Sequence, residues 1–350
     1  MKIAIDVSPL QSGHKVRGVG FYLTYLKKAL QQYFPGNDYI FFEKKETIPN
    51  DVDLVHYPYF DPFFVTLPLA KKHKTVVTVH DLTPLVFPEH FPAGLKGKFC
   101  WQLQKYNLRH VDAIITDSES SKKDIVSIVD VPDYRVSVAY LGADEAFHPV
   151  KHNESVIKEL RKKYNLPEQF ALYVGDVTWN KNVPLLLKAI NDIDVSLVMV
   201  GKSLAAENVD TLNVWNKDLI ETQKLAKENP KVQRLGFVPT EDLVLLYNLA
   251  SVFVFPSVYE GFGLPVIEAM QSGCPVITTR EGSLKEVAGD AAYYFDGINK
   301  ESLADAIMHV IHSHVVRDEL REKGLEQAKK FSWKKTAEQT MAVYQSVLQK

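Results

Sequence analysis

Short apolar runs alternate with amphipathic runs along this chain, stop at a polar stretch near its middle, and then start again. In the first half, residues 3–7, 40–42, 54–57, 75–79, 113–116 and 135–138 read as strands. Residues 20–33 place Tyr22, Leu26 and Leu30 on one helical face, residues 95–109 read as a second helix, and residues 118–128 as a third, opened by a serine cap at Ser118. Strand–helix alternation of this kind specifies a parallel sheet covered on both faces. The stretch 141–151, with Gly142 and Pro149, reads as a linker. Strands are then predicted at 170–174, 195–200, 232–236, 252–255 and 275–278, and helices at 183–190, 219–228, 241–249, 265–272 and 333–348. The expected fold is α/β: two doubly wound, Rossmann-like domains in series, residues 1–150 and 151–330. Residues 331–350 form a C-terminal helix expected to pack back toward the first domain. Ligands of such sheets bind outside the carboxyl ends of the strands, so a cleft between the two domains is the expected site.

Composition narrows the function classes. With 350 residues, of which 46% are hydrophobic and 24% charged, the chain is an ordinary globular protein too long for one core. Its net charge of −2 lacks the basic excess of a nucleic-acid binder. Cys100 and Cys274 form neither a metal-ligand spacing nor a disulfide framework, and read as small buried hydrophobes in a reducing compartment. Residues 1–6 read as a strand rather than a signal peptide. No apolar stretch reaches the roughly 18 residues of a membrane span. The expected location is therefore cytoplasmic, with peripheral contact at the inner face of a membrane left open.

The most informative segment is Glu260-Gly-Phe-Gly-Leu-Pro-Val-Ile-Glu268. A strand ends at Phe255, a glycine-containing loop follows, and a helix is expected to open near Pro265 with Glu268 in its first turn. Amides around Gly263 and Leu264, at the positive end of the helix dipole, suit a diphosphate. Two carboxylates beside a diphosphate need partners of their own. Sugar hydroxyls supply them: ribose for one, a transferred sugar for the other. The alternative for either residue singly is that Glu268 complements the dipole and Glu260 is solvated.

Four further features bear on the same chemistry. In Tyr173-Val-Gly-Asp-Val-Thr-Trp-Asn180-Lys181-Asn182 a strand runs into a glycine turn and a helix, placing Lys181 at a helix start. Gly18 and Gly20 lie in the first strand-to-helix connection, where glycine lets backbone approach a ligand closely. They do not make the dinucleotide fingerprint, which argues against an oxidoreductase. His80 and Asp81 end one predicted strand and His56 another; a histidine at a strand end suits contact with a reacting sugar, or a structural hydrogen bond. Asp51-Val-Asp53 has the form of a metal motif but opens a strand with no further ligands nearby, so no metal is expected.

Taken together, these motifs resemble those of the retaining GT-B glycosyltransferases of family 4 (glycosyl transferases group 1), over nearly the whole chain. The resemblance implies a GT-B architecture and a metal-independent hexosyltransferase without a resident cofactor. A mannose-like hexose would pass from a nucleoside-diphosphate sugar to a hydroxyl of a glycan or lipid-linked acceptor in polysaccharide biosynthesis. By front-face attack, the leaving phosphate would help to deprotonate the acceptor hydroxyl. Glu268 is implied to bind the ribose, Glu260 the transferred sugar, and His80 the sugar's C6 hydroxyl. Lys181 would grip the diphosphate, completing a catalytic set with His80 and Glu260. The amides of Gly261, Phe262, Gly263 and Leu264 are implied to hold sugar and phosphate, Val238 to lie beside the nucleobase, and Gly18 and Gly20 to form a loop over the phosphates. The family usually has Arg where this chain has Asn180. One phosphate-binding charge is therefore missing at that donor position or supplied elsewhere, with Arg17 a candidate. Arg17, His56 and Asp81 are the acceptor-side candidates, Asp81 facing the acceptor or acting structurally. The rival readings are a sugar-nucleotide epimerase of the same fold and a non-catalytic nucleotide-sugar-binding protein.

Overall fold

Two all-parallel six-stranded sheets make up the computed structural model of the protein. It describes residues 1–11, 18–44, 46–151 and 154–349. The chain divides into two units, Met1–Gly142 with Phe331–Lys350, and Ala143–Lys330. Among the described residues, no helix is long and apolar enough to cross a membrane.

The sheet of the first unit is built from β1 (Lys2–Asp6), β2 (Asp38–Phe42), β3 (Leu54–Tyr57), β4 (Lys74–Thr78), β5 (Ala113–Thr116) and β6 (Val136–Val138), in the order β2-β1-β3-β4-β5-β6. Helices supply the crossovers between β1 and β2, β4 and β5, and β5 and β6, whereas the connections 43–53 and 58–73 hold no helix among the described residues. Every residue of β5 is buried, which is why it reads as a continuous apolar run rather than an alternating one. The C-terminal helix Trp333–Leu348 belongs to this unit. Its Trp333 ring stacks on Tyr25 with centroids 5.2 Å apart. Thr336 Oγ1 donates to Tyr140 O (2.6 Å), and Gln339 Oε1 accepts from Tyr140 N (3.0 Å). A Cβ on Gly142 would stand 2.5 Å from Trp333 N, so only glycine permits this approach.

The second unit holds β7 (Phe170–Val174), β8 (Ser196–Val200), β9 (Val232–Gly236), β10 (Val252–Phe255), β11 (Val276–Thr278) and β12 (Tyr293–Tyr294), in the order β12-β11-β10-β7-β8-β9. Read from the other edge, chain growth runs β7 to β9 in one direction and resumes at β10 in the other. The reversal falls between β7 and β10, and such a switch point is where doubly wound sheets take their ligands. Residues 143–150 lie against this unit: Gln271 Nε2 donates to Asp144 O (2.8 Å) and Asn248 Nδ2 to His148 O (3.0 Å).

Several element ends differ from the sequence pattern. The helix read at 118–128 is α-helical over Glu119–Ile125, with Ser118 Oγ accepting from Ser121 N, and continues as a π-helical turn, Val126–Asp130. The first helix starts at Gly18, two residues earlier than predicted.

Candidate active site

The switch point of the second unit places two loops side by side, one after β7 and one after β10. The first tightens into a 3-10 turn, Trp179–Lys181, and passes through Asn182 in the left-handed region (φ 51°) into helix Val183–Asp192. Asn180 stitches it to the second loop. Its Nδ2 donates to Tyr259 O (2.9 Å), its own carbonyl accepts from Val258 N (2.8 Å), and Thr178 Oγ1 donates to its Oδ1 (2.7 Å). The stitched loops bring together residues 79 apart in sequence: Lys181 Nζ donates to both Glu260 oxygens at 2.7 Å. Glu260 is only 7% exposed, so this ammonium is what makes a carboxylate tolerable there. The Lys181 ammonium also lies over Phe255, with Nζ 5.0 Å from the ring centroid.

A second clamp acts on the Glu260 loop from residues 282–283. Ser283 Oγ donates to Glu260 O (3.0 Å) and Phe262 O (2.8 Å). Gly282 sits at φ +57°, where a Cβ would meet both the backbone nitrogen and the carbonyl oxygen of Glu260 at 2.8 Å. Gly263 then adopts φ +100° and caps helix Leu264–Gln271. That cap starts the helix one residue before the predicted Pro265. Glu268 is therefore its fifth residue, and the first turn holds no acidic side chain, contrary to the sequence expectation. Pro265 has no N–H and Val266 N donates to Gly263 O (2.9 Å), so Leu264 N is the first-turn amide for which the helix supplies no acceptor. Gly261 and Phe262 are buried just before it.

Glu268 is half-buried, and Tyr247 OH donates to its Oε2 (3.1 Å). Desolvation pushes its carboxyl up to about 7, although the tyrosine hydrogen bond opposes the shift. Val238 is buried just beyond Gly236 (φ +66°), which ends β9.

In the first unit, His80 follows β4 and Asp117 follows the neighbouring strand β5. Parallel register brings both to the same carboxyl edge, where His80 Nδ1 is 2.7 Å from Asp117 Oδ2. His80 Nε2 is 3.2 Å from Pro58 O. Both ring nitrogens face acceptors, the arrangement that suits an imidazolium. Burial pushes the ring's pKa down, but the charges of Asp117 and Asp81 with the contacts to Asp117 and Pro58 together outweigh it and hold His80 above its usual value. Tyr22 packs edge-on against the ring, centroids 4.7 Å apart.

The remaining first-unit candidates separate by burial. His56 is fully buried, with Nε2 2.8 Å from Thr78 Oγ1 and Nδ1 2.7 Å from Tyr344 OH. Burial, aided by the charge of His80, pushes it down to about 3. It is a neutral core histidine with no surface for an acceptor, which corrects the acceptor-side expectation. Asp81 Oδ1 accepts from Thr83 N (2.8 Å) at the start of helix Thr83–Val86, in line with the structural alternative. Gly18 and Gly20 lie in the first turn of helix Gly18–Tyr33 rather than in a loop, Gly18 exposed and Gly20 buried. Arg17 lies outside the described residues.

Sequence reasoning missed Tyr247, Asp117 and Ser283 as partners of the candidate residues. Asp117 ends an apolar run beside the one that ends at His80, a detectable signal once the strands are ordered. Tyr247 reads only as one apolar position of an amphipathic helix.

Comparison with known proteins bears on the family and the fold. Residues 156–331 match the family model described as Glycosyl transferases group 1, and residues 8–147 match that of Glycosyltransferase Family 4. O-antigen chain mannosyltransferase B of Escherichia coli is 30% identical over 294 residues, 83% of this chain and 75% of that protein. The serotype-specific mannosyltransferase WbdA of Escherichia coli is 27% identical over 83% of this chain, which spans about a third of that relative (36%). Among solved structures, sucrose-phosphate synthase from Thermosynechococcus elongatus superposes with a TM-score of 0.78 at 21% identity, covering 99% of this chain and 98% of that one. Anabaena Alr3699/HepE, solved in complex with UDP and glucose, gives 0.73 at 18% identity, covering 99% and 100%. These likenesses make the fold GT-B, two Rossmann-like domains.

Proposed function

Because the chain belongs to the glycosyl transferases group 1 family, and is thus a glycosyltransferase, we propose that it is a retaining hexosyltransferase of polysaccharide assembly. It transfers a mannose-like hexose from a nucleoside-diphosphate sugar to a hydroxyl of a glycan or lipid-linked acceptor, without a metal. The observation that carries this reading is the Lys181–Glu260 pair at the switch point, beside the Gly263-capped helix. There each charge neutralises the other. A bound donor offers both a better partner: its diphosphate draws the ammonium and the Leu264 amide, and a sugar hydroxyl takes the carboxylate. As the anomeric bond breaks, negative charge grows on the diphosphate, where Lys181 and that amide stabilise it. Glu268, held by Tyr247, accepts from the ribose hydroxyls. In the first unit, His80 with Asp117 at its Nδ1 is the residue proposed for a sugar hydroxyl. The names of the E. coli relatives support the mannose-like sugar and the polysaccharide context.

The test is incubation with a panel of nucleoside-diphosphate hexoses, reading released nucleoside diphosphate and transferred sugar. Transfer with retained anomeric configuration in the presence of chelator is expected. It should collapse in Lys181→Ala and Glu268→Ala while the fold survives. Conversion of the donor sugar without release of nucleotide would establish an epimerase instead, and wild-type transfer by both variants would overturn the site assignment.

A further inference from the structure

Helix Gly94–Arg109 is inside out. Its buried face is formed by Gly97, Cys100, Gln104, Asn107 and Leu108. Its solvent face shows Leu95 (89% exposed), Phe99 (73%) and Tyr106 (62%). These three fall at i, i+4 and i+11, a single line along a helix of about 24 Å. A globular protein ordinarily places its apolar stripe against the core and its amides outward.

The inversion extends into the neighbouring loop. Buried Gln104 donates through Nε2 to Phe64 O (2.8 Å) and Thr66 Oγ1 (2.7 Å), which pins residues 61–66 along the helix. That loop adds Phe64, 65% exposed, and the exposed Val65 to the same surface. Lys71 Nζ donates to Asn107 O (3.2 Å), placing a further base beside it.

Along the helix the charges have one sign; the loop adds the half-buried Asp61, whose carboxylate is occupied by Phe63 N (2.7 Å) and Tyr59 OH (3.0 Å). Lys96 and Lys98 are exposed and Lys105 is half-exposed, and none of the three makes an ion pair among the described residues. No Asp or Glu occurs between Glu89 and Asp112, in a chain whose net charge is −2. Arg109 turns away to pair with Asp130. Bases flanking a line of leucine and aromatic side chains match the two layers of an anionic lipid surface: phosphate at headgroup depth, hydrocarbon beneath. A second copy of the chain meeting this face about a two-fold axis would set lysine against lysine.

From this we infer that the face formed by helix Gly94–Arg109 and residues 61–66 docks on an anionic lipid bilayer, with Leu95, Phe99 and Phe64 entering the acyl boundary and Lys96, Lys98 and Lys105 holding headgroup phosphates. The inference concerns a surface remote in sequence from Lys181 and Glu260, and its test does not depend on turnover. Full-length chain is sedimented with phosphatidylcholine vesicles with and without phosphatidylglycerol. Binding is expected only with phosphatidylglycerol, weakening as salt rises. Each neutralised lysine should lower the partition coefficient roughly fivefold, so Lys96→Gln with Lys98→Gln should lose about 25-fold. Leu95→Ser with Phe99→Ser should also release the chain from phosphatidylglycerol vesicles. Circular dichroism and donor hydrolysis in solution should be unchanged in both variants, which separates this inference from the catalytic reading. Equal binding to both vesicle types, binding indifferent to the substitutions, or a dimer that Phe99→Ser converts to monomer would each overturn it.

Discussion

Replacing Lys181 with methionine removes the ammonium, including its place over the Phe255 ring, but keeps most of the side chain's aliphatic bulk. Both oxygens of Glu260 then lose their 2.7 Å donor in a position 7% exposed. Stripping one partner from a buried pair costs about 3–5 kcal/mol, because the other charge stays buried. The Lys181 side chain retains 21% of its surface, so water reaches the site, and the low end, about 3 kcal/mol, is expected. For a unit of this size that corresponds to a fall of roughly 6–12 °C in melting temperature. The double variant Lys181→Met with Glu260→Gln has no buried charge left and should recover all but about 1 kcal/mol. Sugar transfer separates from stability: both variants should lose roughly 100-fold or more in kcat/KM, since the diphosphate has lost its cation. Thermal unfolding and donor turnover on the same preparations test this. A Lys181→Met protein that melts within about 2 °C of wild type, or a double variant no more stable than the single, would refute the reasoning.

Three further perturbations follow from the same geometry. The folded-state carboxyl of Glu268 is raised from 4.5 to about 7, so the folded chain holds its proton more tightly than the unfolded one. Its stabilising contribution is complete below pH 4.5 and is lost as pH rises through 7; Glu268→Gln should flatten that slope in urea midpoints measured between pH 4.5 and 8. Donor KM should show the converse, rising as pH falls below 7 in wild type. Tyr344→Phe leaves the buried His56 Nδ1 without its 2.7 Å partner and should cost about 1–3 kcal/mol in urea unfolding, with no change in donor KM. Gly282→Ala forces a Cβ within 2.8 Å of the Glu260 backbone at a positive φ; transfer should fall at least tenfold, about 1.4 kcal/mol of transition-state stabilisation.

The fold was legible where apolar runs had sharp polar ends. Strands β7 and β10 coincide with the runs at 170–174 and 252–255, because each is a central parallel strand buried over nearly its whole length and bounded by turn residues. The edge strand β9, only partly buried, coincides with 232–236, where Gly236 at positive φ ends the run. The two-residue β12 leaves no run to detect. Helices Glu154–Tyr164, Lys300–His312 and His314–Ala328 went unassigned, the first with Leu160 as its one buried residue. The helix at Gly18 starts earlier than the pattern because two glycines carry no apolar periodicity to mark its opening.

The site was legible as a set of residue types and illegible as a set of pairs. Lys181 and Glu260 are separated by 79 residues, and only the adjacency of β7 and β10 makes them partners. The same holds for His80 and Asp117, joined through β4 and β5. Asn180 shows the consequence most clearly. From sequence it marks a lost phosphate-binding charge; in the structure it is buried and supplies the amide that pairs Tyr259 O. An arginine restored there would lose the hydrogen bond to that carbonyl or enter the space the asparagine fills, at a cost of about 0.5–1.5 kcal/mol for the lost bond alone. Two adjacent residues of one 3-10 turn have thus divided the work, Asn180 holding the loop and Lys181 carrying the charge. On the proposed function, Asn180→Arg should lower stability without raising donor affinity. Tighter donor binding by that variant would mean that the missing charge, not the loop, limits the site.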